Sequence, residues 1–433
     1  MAHGEPSTRA GPGPARTRRD GFPGPGILGA MTDTSRAHAE WLDERNPLAW
    51  SHERFAPTEP GLVYLDGNSL GRLPLATAER LRRTVADEWG RGLIRSWDEW
   101  AGLPERVGDA IGVGLLGARP GETLVADSTT VNLFRLATAA LDARPDRPVI
   151  VASADDFPTD RFVLDGIAAS RGGTVRWFHP DPVDGPSIED VARAMGPDVG
   201  LVVLSLVHYR SAALADAAAI GTVAHGAGAL VLWDLSHAAG AVPIDLTAWE
   251  ADLAVGCTYK YLDGGPGSPA FLWVRSDLQH VLRPPVHGWF GQRDVFAFGP
   301  RDDRAPGIRG WLAGTPSVLA LSAVDEGVAL LREAGIDALR SASIALTGYA
   351  VDLYDARLAP LAFRLGTPRD PARRGSHVTI HREDAGKLTA RLVDAGVVPD
   401  FRPPDAIRLG LAPLTTRFID VWGAVSRLAG MAR

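Results

Sequence analysis

The sequence predicts an α/β protein with a mostly parallel central sheet, flanking helices and a smaller α+β unit. Three observations lead there. Between Leu73 and about residue 255, apolar β-rich runs alternate with segments of helical period. The runs are continuous Val/Leu/Ile stretches, the pattern of strands buried on both faces. A chain of 433 residues is also too long for one small core, so a large and a small domain are expected.

The first thirty residues, rich in Gly, Pro and Arg (GPGPARTRRDGFPGPG), have no apolar period and too little to bury to offset their ordering. A disordered extension over 1–35 is therefore expected. The extension lacks the apolar core of a secretory signal, and its Gly-Pro pairs forbid the amphipathic helix of a mitochondrial one. Met31 is an alternative start. Residues 36–72 hold a helix (RAHAEWLDERN) and an extended piece at 62–65, closed by the turn formers Asp66-Gly67-Asn68; they are assigned to the small domain.

Residues 73–315 form the expected large domain. Its strand candidates are ETLVAD (122–127), PVIVAS (148–153), TVRWF (174–178), VGLVVLS (199–205), ALVLWD (229–234), DLAVGC (252–257) and FLWVR (271–275). The Pro/Gly-rich stretch 283–314 carries aromatics without period and reads as a functional excursion. Residues 316–433, the small domain, begin with a long helical pattern and contain HVTI (377–380) and AIRLGL (406–411). Most of the twelve tryptophans sit at helical or strand spacing and are expected in the core.

The totals exclude several functions. A net charge of −7 offers no field to draw in nucleic acid or an anionic membrane. Cys257, the only cysteine, allows no intrachain disulfide or thiolate metal site, and its apolar run reads as core. His225, His280 and His287 lack ligand spacing, so no metal is expected. No apolar run reaches the length of a membrane helix, and a cytoplasmic location is expected.

Ligands of open parallel sheets bind beyond the carboxyl ends of the strands. That directs attention to Ser128-Thr129-Thr130, Asp155-Asp156, Ser205, Asp234 and Tyr259-Lys260. Gly112, Gly114 and Gly117 spell a dinucleotide fingerprint, but a helix precedes them and a strand follows, the reverse of the required order. Asp234 and Lys260 each follow an apolar strand. Alone, the first is more often a turn-capping acid and the second a solvated loop residue. Together they suit an aldehyde cofactor, a lysine forming the Schiff base and an aspartate keeping a pyridine nitrogen protonated. Ser128-Thr129-Thr130 stands at a strand-to-helix junction, where hydroxyls and amides can hold a phosphate; an N-cap would account for only one of the three.

Several segments are more specific: DLSHAAGAVPIDL followed by CTYKYLDGGPGSPAFLWV, with YLDGNSLG (64–71), LIRSW (93–97), STTVNLF (128–134), DDFPTDRFV (155–163), LSLVHYRSA (204–212), HGWFGQ (287–292), IRGWLAGTP (308–316), RRGSHVTI (373–380) and IRLGLAPLTTRFIDVW (407–422). Over nearly the whole chain after about residue 40, and in shared order, these resemble kynureninase, a pyridoxal 5'-phosphate (PLP) enzyme of fold type I in the class V aminotransferase-like family.

The resemblance implies hydrolytic Cβ–Cγ cleavage of L-kynurenine, or a 3-hydroxy or otherwise substituted kynurenine, to an anthranilate and L-alanine. It places the enzyme in tryptophan catabolism, the kynurenine pathway and NAD biosynthesis. It makes Lys260 the Schiff-base lysine and proton shuttle, Asp234 the partner of the pyridine nitrogen and His237 a support of the ring's polar edge. Phe157 stacks on the ring and Asp160 positions it. Thr129, Thr130, Ser205, Tyr259 and Trp289 contact the cofactor, mostly its phosphate, with Tyr259 also a proton donor or relay. Thr315 completes the site from the neighbouring subunit of a homodimer, and Arg408 grips the substrate's α-carboxylate, which suits its planar fork.

Two departures stand out. Some family members carry a histidine within 88–92, where this chain has Glu88-Trp89-Gly90-Arg91-Gly92, which leaves recognition of ring substituents open. Gln292 follows GWFG where a histidine is common. The rival readings are another fold-type-I activity, an aminotransferase or a cysteine desulfurase-like lyase, and a PLP-binding protein without turnover.

Overall fold

The structure, a computed structural model, describes residues 33–433. Most of the expected 1–35 extension lies outside the described residues. Of its last three residues, Ser35 caps a helix by accepting from the His38 amide, and the Thr34 carbonyl accepts from Arg357 and Trp422.

The strands run in chain order as β1 (Val63–Tyr64), β2 (Thr123–Val125), β3 (Val149–Ser153), β4 (Thr174–Phe178), β5 (Val199–Ser205), β6 (Leu230–Asp234), β7 (Leu253–Gly256) and β8 (Phe271–Val274). Then follow β9 (Arg364–Leu365), β10 (His377–His381), β11 (Val397–Val398), β12 (Asp400–Arg402) and β13 (Ala406–Gly410). The central sheet has the order β2-β8-β7-β6-β5-β3-β4. Its pairs are parallel from β4 to β7, and only β8 runs against its two neighbours.

The continuous apolar runs divide by parity, as a pleated strand requires. In β3, Val149 and Val151 enter one core while Ile150 and Ala152 enter the other; in β5, Val202 and Leu204 oppose Leu201 and Val203. The helix after β3, Pro158–Arg171, puts Leu164 and Ile167 into one layer. The helix after β5, Ala217–Gly226, puts Ile220 and Ala224 into the other. The chain therefore changes face between β3 and β5, and a crevice opens there at their carboxyl ends.

Gly108 and Gly112 lie on helix Leu103–Leu115, pressed against Thr123 of β2, where a Cβ at either would collide. Of the glycine pattern at 112–117, Gly112 serves this close packing, while Gly114 makes room for the Arg332 side chain and Gly117 for Asp245.

The second sheet, β12-β13-β10-β9, is antiparallel, and β1 pairs with β11, so residues near 63 join the C-terminal unit. Val378, Ile380, Ile407 and Leu409 pack into one core with helices Ile336–Leu353 and Phe418–Ala432. The alternate residues Thr379 and Arg408 face the central sheet. The Thr379 hydroxyl donates to the Arg210 carbonyl, and Arg408 Nη1 donates to the Tyr209 carbonyl at 2.5 Å.

Two expectations need correction. Only Trp233, Trp273 and Trp311 are buried among the tryptophans; Trp41, Trp50, Trp89 and Trp289 are exposed. Arginine forks cover some of the others, as Arg45 lies 4.2 Å over Trp41, so the large ring is shielded without entering a core. Cys257 falls just past the end of β7 rather than inside it, though it is buried.

Candidate active site

Because β7, β6, β5 and β3 are neighbours, the residues that follow their carboxyl ends converge. Asp234 closes β6 in register with Ser205 of β5, and its Oδ1 accepts the Ser236 amide at 2.7 Å. Asp156 and Asp160 come from the turn after β3 and the first turn of its helix, whose geometry Pro158 sets at N1. All three carboxyls are buried.

Three carboxylates in one buried site cannot all be charged without a cation among them. Burial, then the charges of Asp234 and Asp156, push Asp160 well above the usual carboxylate range. Protonated, it donates a hydrogen bond to Asp234. Burial also raises Asp156 to about 7, although Ser205 pulls it down, and Asp156 Oδ1 has no hydrogen-bond partner.

Lys260 approaches from the turn after β7. Its Nζ lies 3.3 Å from Nε2 and 3.4 Å from Nδ1 of His237, so it faces the imidazole rather than aligning with one nitrogen. It also stands 5.9 Å from the ring centres of Phe157 and Tyr259. Burial, then the charges of Lys260 and Arg408, hold His237 well below its usual range, so the ring is neutral. Tyr209 meets the Phe157 ring edge-on at 5.3 Å and fixes it. Burial raises the Tyr259 phenol, which keeps its proton. The 66–71 turn closes over this loop: the Gly71 amide donates to the Tyr259 carbonyl at 2.7 Å, and a Cβ on Gly71 would strike the Lys260 carbonyl.

Ser128 caps helix Thr129–Asp142, accepting from the Val131 amide at 3.3 Å. That leaves the first-turn amides of Thr129, half-buried, and Thr130, exposed, without partners inside the helix. An anion is favoured there by the helix dipole.

These features fit the implied cofactor. A protonated pyridine nitrogen would add positive charge beside the three carboxyls of the Asp156–Asp160–Asp234 cluster, a primary amine stands beside an aromatic face, and a helix N-terminus offers amides for a phosphate.

The geometry thus brings together Lys260, Tyr259, His237, Phe157, Asp160, Ser205 and Asp234. It does not bring Trp289 or Thr315 to them. Trp289 stacks on Phe298 at 6.2 Å and meets Phe290 and Phe296 edge-on, while exposed Thr315 lines a cavity with Asp127 and Gly267. Arg408 is fully buried and already pairs with Asp400 at 2.5 Å.

Sequence reasoning gave no role to Asp156, His377 or Asp400. Asp156 was visible as an acid at a strand end. His377 is buried with both ring nitrogens unpartnered, 5.8 Å from the His237 ring, and stands inside the RRGSHV segment. Nothing in the sequence distinguished Asp400. A stronger signal for Lys260 was available in the composition: Lys260 and Lys387 are the only lysines. Where nearly every cation is Arg, a lysine kept at a strand end points to amine chemistry that a guanidinium cannot perform.

A family model described as the Kynureninase C-terminal domain matches residues 339–428. The kynureninase of Pseudomonas fluorescens is 41% identical over 403 residues, covering 91% of this chain and 95% of that protein. The kynureninase of Burkholderia pseudomallei (strain 1106a) is 41% identical over 400 residues, covering 91% and 94%. Among solved structures, the apo cysteine desulfurase from Thermococcus onnurineus NA1 superposes with a TM-score of 0.75 at 16% identity, covering 89% of this chain and 97% of that one. A mutant of C-DES with glycine covalently linked to its PLP cofactor gives 0.76 at 18%, covering 87% and 98%. These last two likenesses carry the fold, which is that of the PLP-dependent enzymes of type I.

Proposed function

The chain belongs to the kynureninase family, and from that premise we propose that this site hydrolyses the Cβ–Cγ bond of L-kynurenine or a ring-substituted relative, releasing an anthranilate and L-alanine. The observation that carries the reading is the Lys260 amine set against neutral His237 and the Phe157 ring, beside the buried Asp156–Asp160–Asp234 carboxyls. The enzyme is PLP-dependent. When bound, PLP supplies an aldehyde for an amine and a protonated ring that accepts electron density from the substrate's Cα.

The chain's own residues do the rest. Lys260 would be the residue that holds the cofactor's aldehyde carbon, and its amine is the base placed to move the Cα proton. Asp234 would pair with the pyridine nitrogen, and protonated Asp160 holds Asp234 in place by donating to it. His237, being neutral, supports the ring's polar edge without adding charge beside Lys260. Phe157 stacks on the ring. The first-turn amides at Thr129 and Thr130 hold the phosphate with help from Ser205 and Tyr259, and the protonated Tyr259 phenol is the proton donor or relay. Arg408 receives the α-carboxylate.

We further propose a homodimer in which Trp289 and Thr315, which make none of the contacts described around their own chain's Lys260, complete the partner's site. We propose a division near residue 315 into large and small domains, a cytoplasmic location and a place in tryptophan catabolism. A helix long and apolar enough to cross a membrane is absent among the described residues.

A desulfurase reading needs an accessible persulfide carrier. Cys257 is buried, and burial raises its thiol, which argues against it. The test is incubation of L-kynurenine with the holoenzyme and no keto acid. Anthranilate fluorescence with stoichiometric L-alanine is expected, and strict dependence on a keto acid would point instead to transamination.

A further inference from the structure

A buried guanidinium needs a counter-charge before substrate arrives, and the structure shows what supplies it. Arg408 has five N–H donors. With the Asn68 amide oxygen turned towards it, the orientation that satisfies both ends of that amide, Nε donates at 3.1 Å and Nη2 at 3.0 Å. Asp400 Oδ2 takes Nη2 at 2.5 Å, and the Tyr209 carbonyl takes Nη1 at 2.5 Å. Four donors are thereby held and one hydrogen of Nη1 is left to offer. Asp400 is itself pinned. It faces Arg408 in register across β12 and β13, and Arg402 Nε donates to its carboxylate at 2.8 Å.

We propose that Asp400 is the positioning residue for substrate-carboxylate recognition, orienting the Arg408 fork without touching substrate; this rests on the reading of Arg408 as the carboxylate receptor. The charges agree. Two arginines share one Asp400 carboxylate, so the cluster keeps an excess positive charge for the incoming carboxylate to neutralise. Asp66, the other acid nearby, is pushed up by burial and then by Asp400, while Ser69, Arg408 and Arg402 pull it down. Asp400 cannot leave to make room without breaking two ion pairs at once, so its role is to hold the fork and not to be displaced from it.

The test uses the holoenzyme with L-alanine, the product that keeps the α-carboxylate, and ethylamine, its counterpart without one, titrated by cofactor absorbance. Asp400→Asn keeps the shape and removes the charge. It is expected to weaken L-alanine binding and raise KM for L-kynurenine by about tenfold, with kcat within about twofold and ethylamine binding unchanged. Asp400→Glu restores the charge and should recover part of that affinity, an effect a purely structural role would not give. Tighter L-alanine binding in Asp400→Asn would show that Asp400 competes for the fork, and would overturn the proposal. So would a Glu variant as weak as Asn. Arg408→Lys separates the two levels. If it weakens L-alanine while Asp400→Asn does not, the inference fails and the Arg408 reading stands; if Arg408→Lys binds L-alanine normally, the Arg408 reading itself fails.

Discussion

Replacing Asp156 by Asn tests whether the acid cluster is strained without its cation. Burial lifts this carboxyl from 3.8 to about 7. At about 1.4 kcal/mol per unit, that shift costs about 4 kcal/mol once both folded and unfolded states are ionised. The folded pKa lies above the unfolded one, so this group's contribution to stability is fully present below pH 3.8 and is lost as pH rises through about 7. Between pH 5 and pH 8 about 2.5 kcal/mol of the loss develops. Asn keeps an oxygen for Ser205 and does not titrate. Urea unfolding of cofactor-free wild type and Asp156→Asn at both pH values should therefore show the variant gaining about 2.5 kcal/mol on wild type from pH 5 to pH 8. Cofactor must be removed first, because a pyridine cation beside the cluster draws the carboxyl back down. A difference between the two proteins that stays constant across this range, or that shrinks as pH rises, would refute the reasoning.

Other outcomes follow from the same geometry. Gly71→Ala forces a methyl against the Lys260 carbonyl and the Asp263 carboxyl, and should lower stability by about 1–3 kcal/mol and weaken cofactor binding, checked by melting and by titration with PLP. Cys257→Ala should keep kcat within about twofold, since the thiol is buried and protonated; loss of turnover in a folded variant would revive a thiol mechanism. For the proposed dimer, inactive Lys260→Ala and Trp289→Ala subunits with demonstrated exchange should regain activity when mixed. A hybrid that forms and stays inactive would assign Trp289 to its own subunit's site.

The inner strands of the central sheet were legible because burial on both faces writes itself as near-continuous apolar runs, as in VGLVVLS, while the edge strand TVRWF is only partly buried. β9, β11 and β12 were not, being two or three residues long, too short for a period to show. Asp234 and Lys260 could be found because polar residues that follow apolar strands are few and stand where open sheets bind ligands. The kinship segments added Phe157 and Arg408. What the sequence could not reveal is mutual charge. That Asp160 holds a proton for Asp234, or that Asp400 holds Arg408, depends on burial and on pairing between residues from different strands and turns, and a lone Asp in a sequence carries no sign of either. The aperiodic 283–314 excursion was recognised as unusual, yet its anchoring was hidden: Phe290, Trp311 and Leu312 are buried in the core, and the Trp311 carbonyl accepts from buried Arg135.

The account turns on one amine, and the composition makes it directly measurable. The chain has two lysines, Lys260 at the site and exposed Lys387 on helix Ala385–Asp394. Borohydride reduction of the yellow holoenzyme, followed by proteolysis and peptide mass spectrometry, fixes the cofactor's carbon skeleton to whichever lysine carries it. A pyridoxyl-phosphate mass is expected on the peptide containing Lys260 and none on that containing Lys387, with loss of both colour and anthranilate production in the reduced protein. Attachment at Lys387, or full activity after reduction, would contradict it.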